Sequence, residues 1–303
     1  MGECKNVTAM APDLDRPSGR SVFVSYAQNC EDAILWRALG HIQDGFYIDV
    51  GANDPVARSV TRAFYERGWH GINVEPVQYW HDRLMRDRPR DINLHVGASS
   101  TDGTMSFYEI EDTGLSTGKL EPKIAAEERG FNTIATEIEV RTLDDIITCF
   151  SPPQIHFLKI DVEGMEREVL QGIDLSRYRP WIIVVEATEP TGDIATAPET
   201  QDQWEDILSG SQYTFSYFDG LNRFYIADEH NELHDAFRYP PSRLIDGYIT
   251  YGEQELERAK IAAEESLQAE RRLREDYEKR FLQIRSQLAN LEVIMKSWLA
   301  NLQ

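Results

Sequence analysis

Phe46-Tyr47-Ile48-Asp49-Val50-Gly51-Ala52-Asn53-Asp54-Pro55, residues 46–55, is a short apolar run that ends in an acid, a glycine and a turn. Aromatic and β-branched residues in near-continuous sequence suit a strand buried on both faces, as in a parallel sheet. The residues that follow have the chemistry of a strand-to-helix turn. Gly51 permits close backbone approach, Asn53 or Asp54 can cap a helix, and Pro55 suits its first turn. Runs of the same texture recur at 71–74, 92–96, 155–160 and 181–185, with crossover helices expected at 55–67, 77–86 and 165–171. The repeated β-α-β unit predicts an α/β fold: a Rossmann-like sheet of five parallel strands covered by helices.

The rhythm changes after the fifth run. Two aromatic segments, 213–218 and 223–227, flank the turn-rich quartet Asp219-Gly220-Leu221-Asn222, which reads as a terminal antiparallel hairpin. Residues 104–110 and 137–141 read as a second hairpin-like insertion beside the sheet edge. Residues 1–20 have the composition of a disordered leader, and residues 21–251 form the expected globular domain. Beyond Gly252 there is no further Gly or Pro. Phe281, Ile284, Leu288, Leu291, Met295, Trp298 and Leu302 are spaced alternately by three and four, a seam of period 3.5 that predicts a coiled-coil helix over 252–303. Self-association or partner binding through that helix is the expectation.

The 303 residues include 52 acidic and 31 basic side chains, for a net charge of −21. Segment 252–303 holds nine basic and ten acidic residues, so the acidity belongs to the preceding domain. Such a surface repels phosphate backbones, which argues against nucleic acid and anionic membranes as partners. No apolar stretch is long enough to span a bilayer and no secretory signal is recognisable, so the cytoplasm is the expected compartment. Cys4, Cys30 and Cys149 read as free thiols, and the sequon Asn6-Val7-Thr8 as coincidence.

Ligands of open α/β sheets sit beyond the carboxyl ends of the strands. The single Gly51 makes neither a dinucleotide fingerprint nor a Walker loop. Glu75, which ends the second strand in Asn73-Val74-Glu75-Pro76, is suited to accept two hydrogen bonds from a ribose diol, or else to cap the next helix. The densest cluster is Leu158-Lys159-Ile160-Asp161-Val162-Glu163-Gly164-Met165-Glu166. Lys159 lies in an otherwise apolar strand and needs an acidic partner. Glu186 closes the fifth strand and is expected either to face the same crevice or to start a helix, and His156 is expected to pack in the core.

These residues carry a resemblance. The chain resembles a class I S-adenosylmethionine-dependent methyltransferase of the FkbM type over about residues 25–225. The matching text is Ser25-Tyr26-Ala27-Gln28-Asn29-Cys30-Glu31-Asp32, Phe46 through Asn53, Val74-Glu75-Pro76, Thr142-Leu143-Asp144-Asp145 and Leu158 through Gly164. The resemblance implies S-adenosylmethionine as cofactor, with Asp49, Gly51 and Asn53 around its methionine portion and Glu75 on the ribose. Ser99 is implied for the adenine side, and Tyr26 and Gln28 for closure over the cofactor, Gln28 having the cap of helix 31–39 as its alternative. Asp161 and Glu163, with Lys159 beside them, form the expected catalytic set. Asp161, Glu163 and Glu186 are candidate ligands for a divalent cation such as Mg. The acceptor implied is a hydroxyl of a sugar, glycan or secondary metabolite, with Trp80, Trp204, Tyr217 and Tyr239 as candidates for stacking on a ring. Two other readings compete: an inactive methyltransferase-fold platform for the coiled coil, and a nicotinamide-dependent dehydrogenase.

Overall fold

A computed structural model describes residues 22–110, 113–189 and 197–300. The leader at 1–20, with Cys4 and the sequon, lies outside the described residues. One sheet contains β1 (Phe46–Val50), β2 (His70–Val74), β3 (Ile92–Leu94), β4 (Phe157–Ile160), β5 (Ile182–Glu186), β6 (Tyr213–Phe218) and β7 (Asn222–Ala227). Its spatial order is β6-β7-β5-β4-β1-β2-β3. β1 pairs in parallel with β2 and β4, β2 with β3, and β4 with β5. β7 runs antiparallel to both β5 and β6. The chain order reverses between β1 and β4, which is where such sheets open a crevice at their carboxyl ends.

Alternation along each strand decides what that crevice contains. Ile48, Val50, Leu158, Ile160, Ile183 and Val185 enter the core on one face of the sheet. Tyr47, Phe157, Ile182, Val184 and Phe224 enter the core on the other face. A period of two extends this second face to Asp49, Lys159, Asp161 and Glu186. Each strand therefore ends with a polar side chain on the same side of the sheet, and Asp49 lies directly opposite Lys159 in the β1–β4 register.

Two segments differ from the sequence expectation. Only Arg62–Glu66 of the helix expected at 55–67 is helical. Asp54 accepts hydrogen bonds from the amides of Val56 and Ala57, and Asn53 and Arg58 take positive φ, so side-chain turn chemistry outcompetes helix propagation. The third strand stops at Leu94. Gly97–Ala98 instead pairs with Thr133–Arg141, which also pairs with Gly103–Ile110 in a separate three-stranded sheet. The helices expected at 77–86 and 165–171 occur as Gln78–Asp87 and Glu166–Gln171.

The chain divides into two units, Met1–Ile249 and Thr250–Gln303. The second is dominated by a single helix, Tyr251–Ala300, on which Phe281, Ile284, Leu288, Leu291, Met295 and Trp298 are all exposed. No helix among the described residues is long and apolar enough to cross a membrane.

A buried polar network holds the β1–β2 edge to the loop after β1. Arg88 is fully buried; its guanidinium donates to the Pro55 carbonyl, the Ser59 hydroxyl and the Tyr47 phenol oxygen, and lies 3.5 Å from Asp91. Asp91 in turn accepts from the Tyr47 hydroxyl, the Gly71 amide and the Asn73 side chain. Replacing Arg88 strands a buried carboxylate. Arg88→Leu is expected to lower the unfolding free energy by about 3–5 kcal/mol, read from urea denaturation. A loss below about 1 kcal/mol would show that the network contributes no net stability.

Candidate active site

The turn after β1 is the floor of the crevice. Gly51 has φ of +78°, and a Cβ built on it would lie 1.8 Å from the Asp161 carbonyl oxygen. Only glycine allows the β1 and β4 turns to approach so closely. The Gly51 amide donates to the Val74 carbonyl and the Asp161 amide to that of Val50, so backbone bonds fix the exits of β1, β2 and β4 together.

Lys159 and its acids form the centre. Its Nζ lies 3.1 Å from Asp161 Oδ2 and 3.4 Å from Asp49 Oδ1. The two carboxylates beside the ammonium hold its pKa above the ordinary lysine range despite burial, which alone would lower it. Asp49 Oδ2 accepts from the Thr61 hydroxyl at 2.9 Å, whereas Oδ1 has no hydrogen bond of its own. The expected pairing of Lys159 with an acid is thus present, but it is shared between two strands.

Glu75 is buried, and its two oxygens take the amides of Asn53 and Val77 at 2.8 Å each. It therefore ties the β1 turn to the segment that leads into the helix Gln78–Asp87; the helix itself has no side-chain cap, so the expected capping role is not seen. Burial raises its pKa to about 7; the two amide hydrogen bonds and Lys159 oppose that rise, and Asp49 adds to it. Each oxygen keeps a lone pair for a further donor.

On the other side of Lys159, Asp161, Glu163 and Glu186 converge, with one oxygen of each within 4.8 Å of the others. Asp161 is partly exposed; Glu163 and Glu186 are buried. Burial, reinforced by Asp161 and the neighbouring acids, pushes both glutamates well above the ordinary carboxyl range. Glu163 has a left-handed backbone, φ of 54°, next to Gly164 at φ of 97°. This costly conformation is held by the buried Thr117 hydroxyl, which donates to the Glu163 carbonyl at 2.8 Å. Glu166 closes the turn by accepting from the amides of Gly164 and Val162. Such a grouping can hold a cation, accept a proton, or orient a hydroxyl.

Other expected residues have different surroundings. The Tyr26 hydroxyl donates to Glu66, and the Tyr26 amide donates to Asp32. Gln28 is exposed and does not cap the helix Glu31–Leu39, whose N-cap position is Cys30. The loop before that helix is tied by the buried Asp32, which accepts from Ser25 Oγ and from the amides of Tyr26 and Ala27. Ser99 donates its amide to Arg141 and presses its carbonyl against Gly172, placing it at the small sheet. His156 sits between Trp69 and Trp181 and accepts from the Phe46 amide at the opposite end of β1, a core position as expected. Trp204 is core, packed on Tyr225; Tyr217 packs on Phe224, Trp80 on Tyr79, and Tyr239 is exposed. The sequence reading missed Thr61 and Thr117, and gave Glu166, the last residue of the acidic cluster it quoted, no role. Glu166 alone had a signal, lying three residues after Glu163 at a helix start.

The profile of the methyltransferase FkbM domain matches residues 49–217, which include Asp49, Glu75, Lys159, Asp161, Glu163 and Glu186. Methyltransferase sdnD of Sordaria araneosa is 34% identical over 176 residues, 48% of this chain and 68% of that relative. The crystal structure of methyltransferase FkbM from Methylobacillus flagellatus matches 64% of the chain at 17% identity and a TM-score of 0.40; the match spans just under half of that protein, 47%. The TehB-like SAM-dependent methyltransferase of Corynebacterium glutamicum matches 65% of the chain and 87% of its own length, at 9% identity and a TM-score of 0.36. With more than half of its length inside that domain profile, and both carboxylate sides of the crevice included, the chain belongs to the FkbM methyltransferase family.

Proposed function

We propose that the protein is an S-adenosylmethionine-dependent O-methyltransferase whose acceptor is a hydroxyl of a sugar, glycan or secondary metabolite. The observation that carries this reading is the Gly51 turn, pressed against the Asp161 carbonyl and flanked by the amide-held Glu75. The residues present fit the donor. Glu75 offers lone pairs to a ribose diol, Asp49 Oδ1 lacks a donor of its own, and the acid-rich surroundings suit a ligand that carries a sulfonium and an ammonium. Bound, that donor supplies an electrophilic methyl group. The protein's task is to align an acceptor oxygen with it and give the hydroxyl proton a destination. Asp161 and Glu163 are the groups that take this proton, and Lys159 holds Asp49 and Asp161 in place across the strands. Membership of the FkbM family favours methyl transfer over the hydride transfer of a dehydrogenase.

Calorimetry with S-adenosylhomocysteine tests the assignment. Glu75→Ala is expected to abolish binding and Asp161→Asn to preserve it while stopping turnover. Heat with NADH and none with S-adenosylhomocysteine would reverse the reading; binding without turnover across a panel of hydroxyl acceptors would favour the inactive platform. A second outcome follows from the raised Glu75 pKa of about 7. The ionised form accepts the ribose hydroxyls, and the free protein holds a proton there below pH 7. Affinity should therefore be about tenfold weaker at pH 6 than at pH 8, with this dependence lost in Glu75→Gln. A flat wild-type profile would remove Glu75 from the ribose.

The helix Tyr251–Ala300 is proposed to pair with the same helix of a second copy, because its seam repeats every 3.5 residues and is exposed. Light scattering on the full chain should give a multiple of the 34.8 kDa mass, reduced to one chain by Leu288→Glu with Leu291→Glu. A wild-type monomer at micromolar concentration rules out self-pairing.

A further inference from the structure

The geometry points to a hard divalent cation site formed by Asp161, Glu163 and Glu186 across the ends of β4 and β5. One oxygen of each carboxylate lies within 4.8 Å of the others. A second, independent feature marks this cluster. Glu163 Oε2 and Glu186 Oε2 have no hydrogen-bond partner, although the two residues are only 7% and 8% exposed. Glu75 and Glu166 are comparably buried, but backbone amides satisfy them. The two unpartnered oxygens receive no such donor, and Lys159 hydrogen-bonds to Asp161. A buried carboxylate oxygen without a donor is costly, and a cation shared by three carboxylates relieves that cost at all of them.

The donor set defines the class of ion. Oxygen ligands without nitrogen or sulfur suit Mg2+, Mn2+ or Ca2+. Metal–oxygen distances of about 2.0–2.6 Å put the ligands of one ion roughly 3–5 Å apart. The observed spread therefore needs only small side-chain movement. The competing way to relieve the cluster is a proton shared between two of its carboxylates. The ion's role rests on the methyltransferase reading, in which it would polarise an acceptor hydroxyl beside the donor; its binding does not.

Titration of the full chain with Mn2+, followed by the electron paramagnetic resonance signal of the free ion at pH 7.5, tests the site. One site per chain, emptied by excess Mg2+, is expected in the wild type. Glu163→Gln with Glu186→Gln should weaken it at least tenfold while S-adenosylhomocysteine binding persists in calorimetry. The isosteric pair removes buried charge, so the ion-free variant should melt no lower than the wild type; if it does not fold, Glu186→Gln alone should show the same loss. Absence of a stoichiometric site in the wild type overturns the proposal, as does Mn2+ binding equal in wild type and variant, which would mark diffuse attraction to an acidic surface. A lost Mn2+ site with S-adenosylhomocysteine binding intact separates this site from the donor site. Mn2+ binding without S-adenosylhomocysteine binding would sustain the site and remove the methyltransferase role.

Discussion

The ammonium of Lys159 is the constraint on which the crevice depends. It stands opposite Asp49 in the register of two parallel strands and also reaches Asp161, the first residue beyond β4. A buried lysine without partners would lose its proton, and the two carboxylates without the lysine would repel each other in a site shielded from water. Together they require β1 and β4 to stay in register. That register brings Gly51 under the Asp161 carbonyl and sets Glu75 beside the turn. The ammonium therefore holds the strand ends together and sets the field in which the surrounding acids stand.

Strand periodicity concentrates those acids in one place. Because side chains alternate, one face of β1, β4 and β5 is apolar from start to finish, whereas the other face is apolar until its last polar positions. Asp49, Lys159, Asp161 and Glu186 thus follow buried aromatics and aliphatics in sequence and rest on them in space. The apolar floor keeps water away and raises the cost of every unpaired oxygen above it. Glu163 differs, since it leaves the strand on a left-handed turn. Thr117, from the segment preceding the helix Leu120–Glu128, holds its carbonyl there, so the loop that shapes one wall belongs to a distant part of the chain.

This division explains what could be read from the sequence. Strand runs were legible because burial on both faces leaves a continuous apolar signature, and the acids at their ends because a charge is conspicuous after such a run. The site was legible to that extent: Asp49, Glu75, Lys159, Asp161, Glu163 and Glu186 all stand at strand ends. The segment 55–61 was misread as helix, since its turn is set by one Asp54 side chain rather than by a periodic pattern. Thr61 and Thr117 were invisible: each acts through a single hydroxyl whose partner lies 12 and 46 residues away in sequence. Gln28 does not take the capping alternative: it is exposed, and the helix Glu31–Leu39 has no side-chain cap, the loop before it being tied by the buried Asp32.

The two sides of the crevice handle buried charge differently, and this difference is the strongest argument for a division of labour. Glu75 is buried with one amide donor on each oxygen, an arrangement that fixes a carboxylate in one pose and, on the proposed reading, suits repeated binding of one unchanging nucleoside. Glu163 and Glu186 are equally buried and under-supplied, an arrangement that leaves free energy to be gained when something positive arrives. A preorganised acceptor lowers the cost of binding; an unsatisfied one makes binding or protonation change the local structure. One sheet can thus present a rigid grip at β2 and a responsive one at β4 and β5. Lys159, ion-paired to Asp161 on one side and Asp49 on the other, couples the two, so a change in charge at Asp161 is felt at Asp49 through its ammonium.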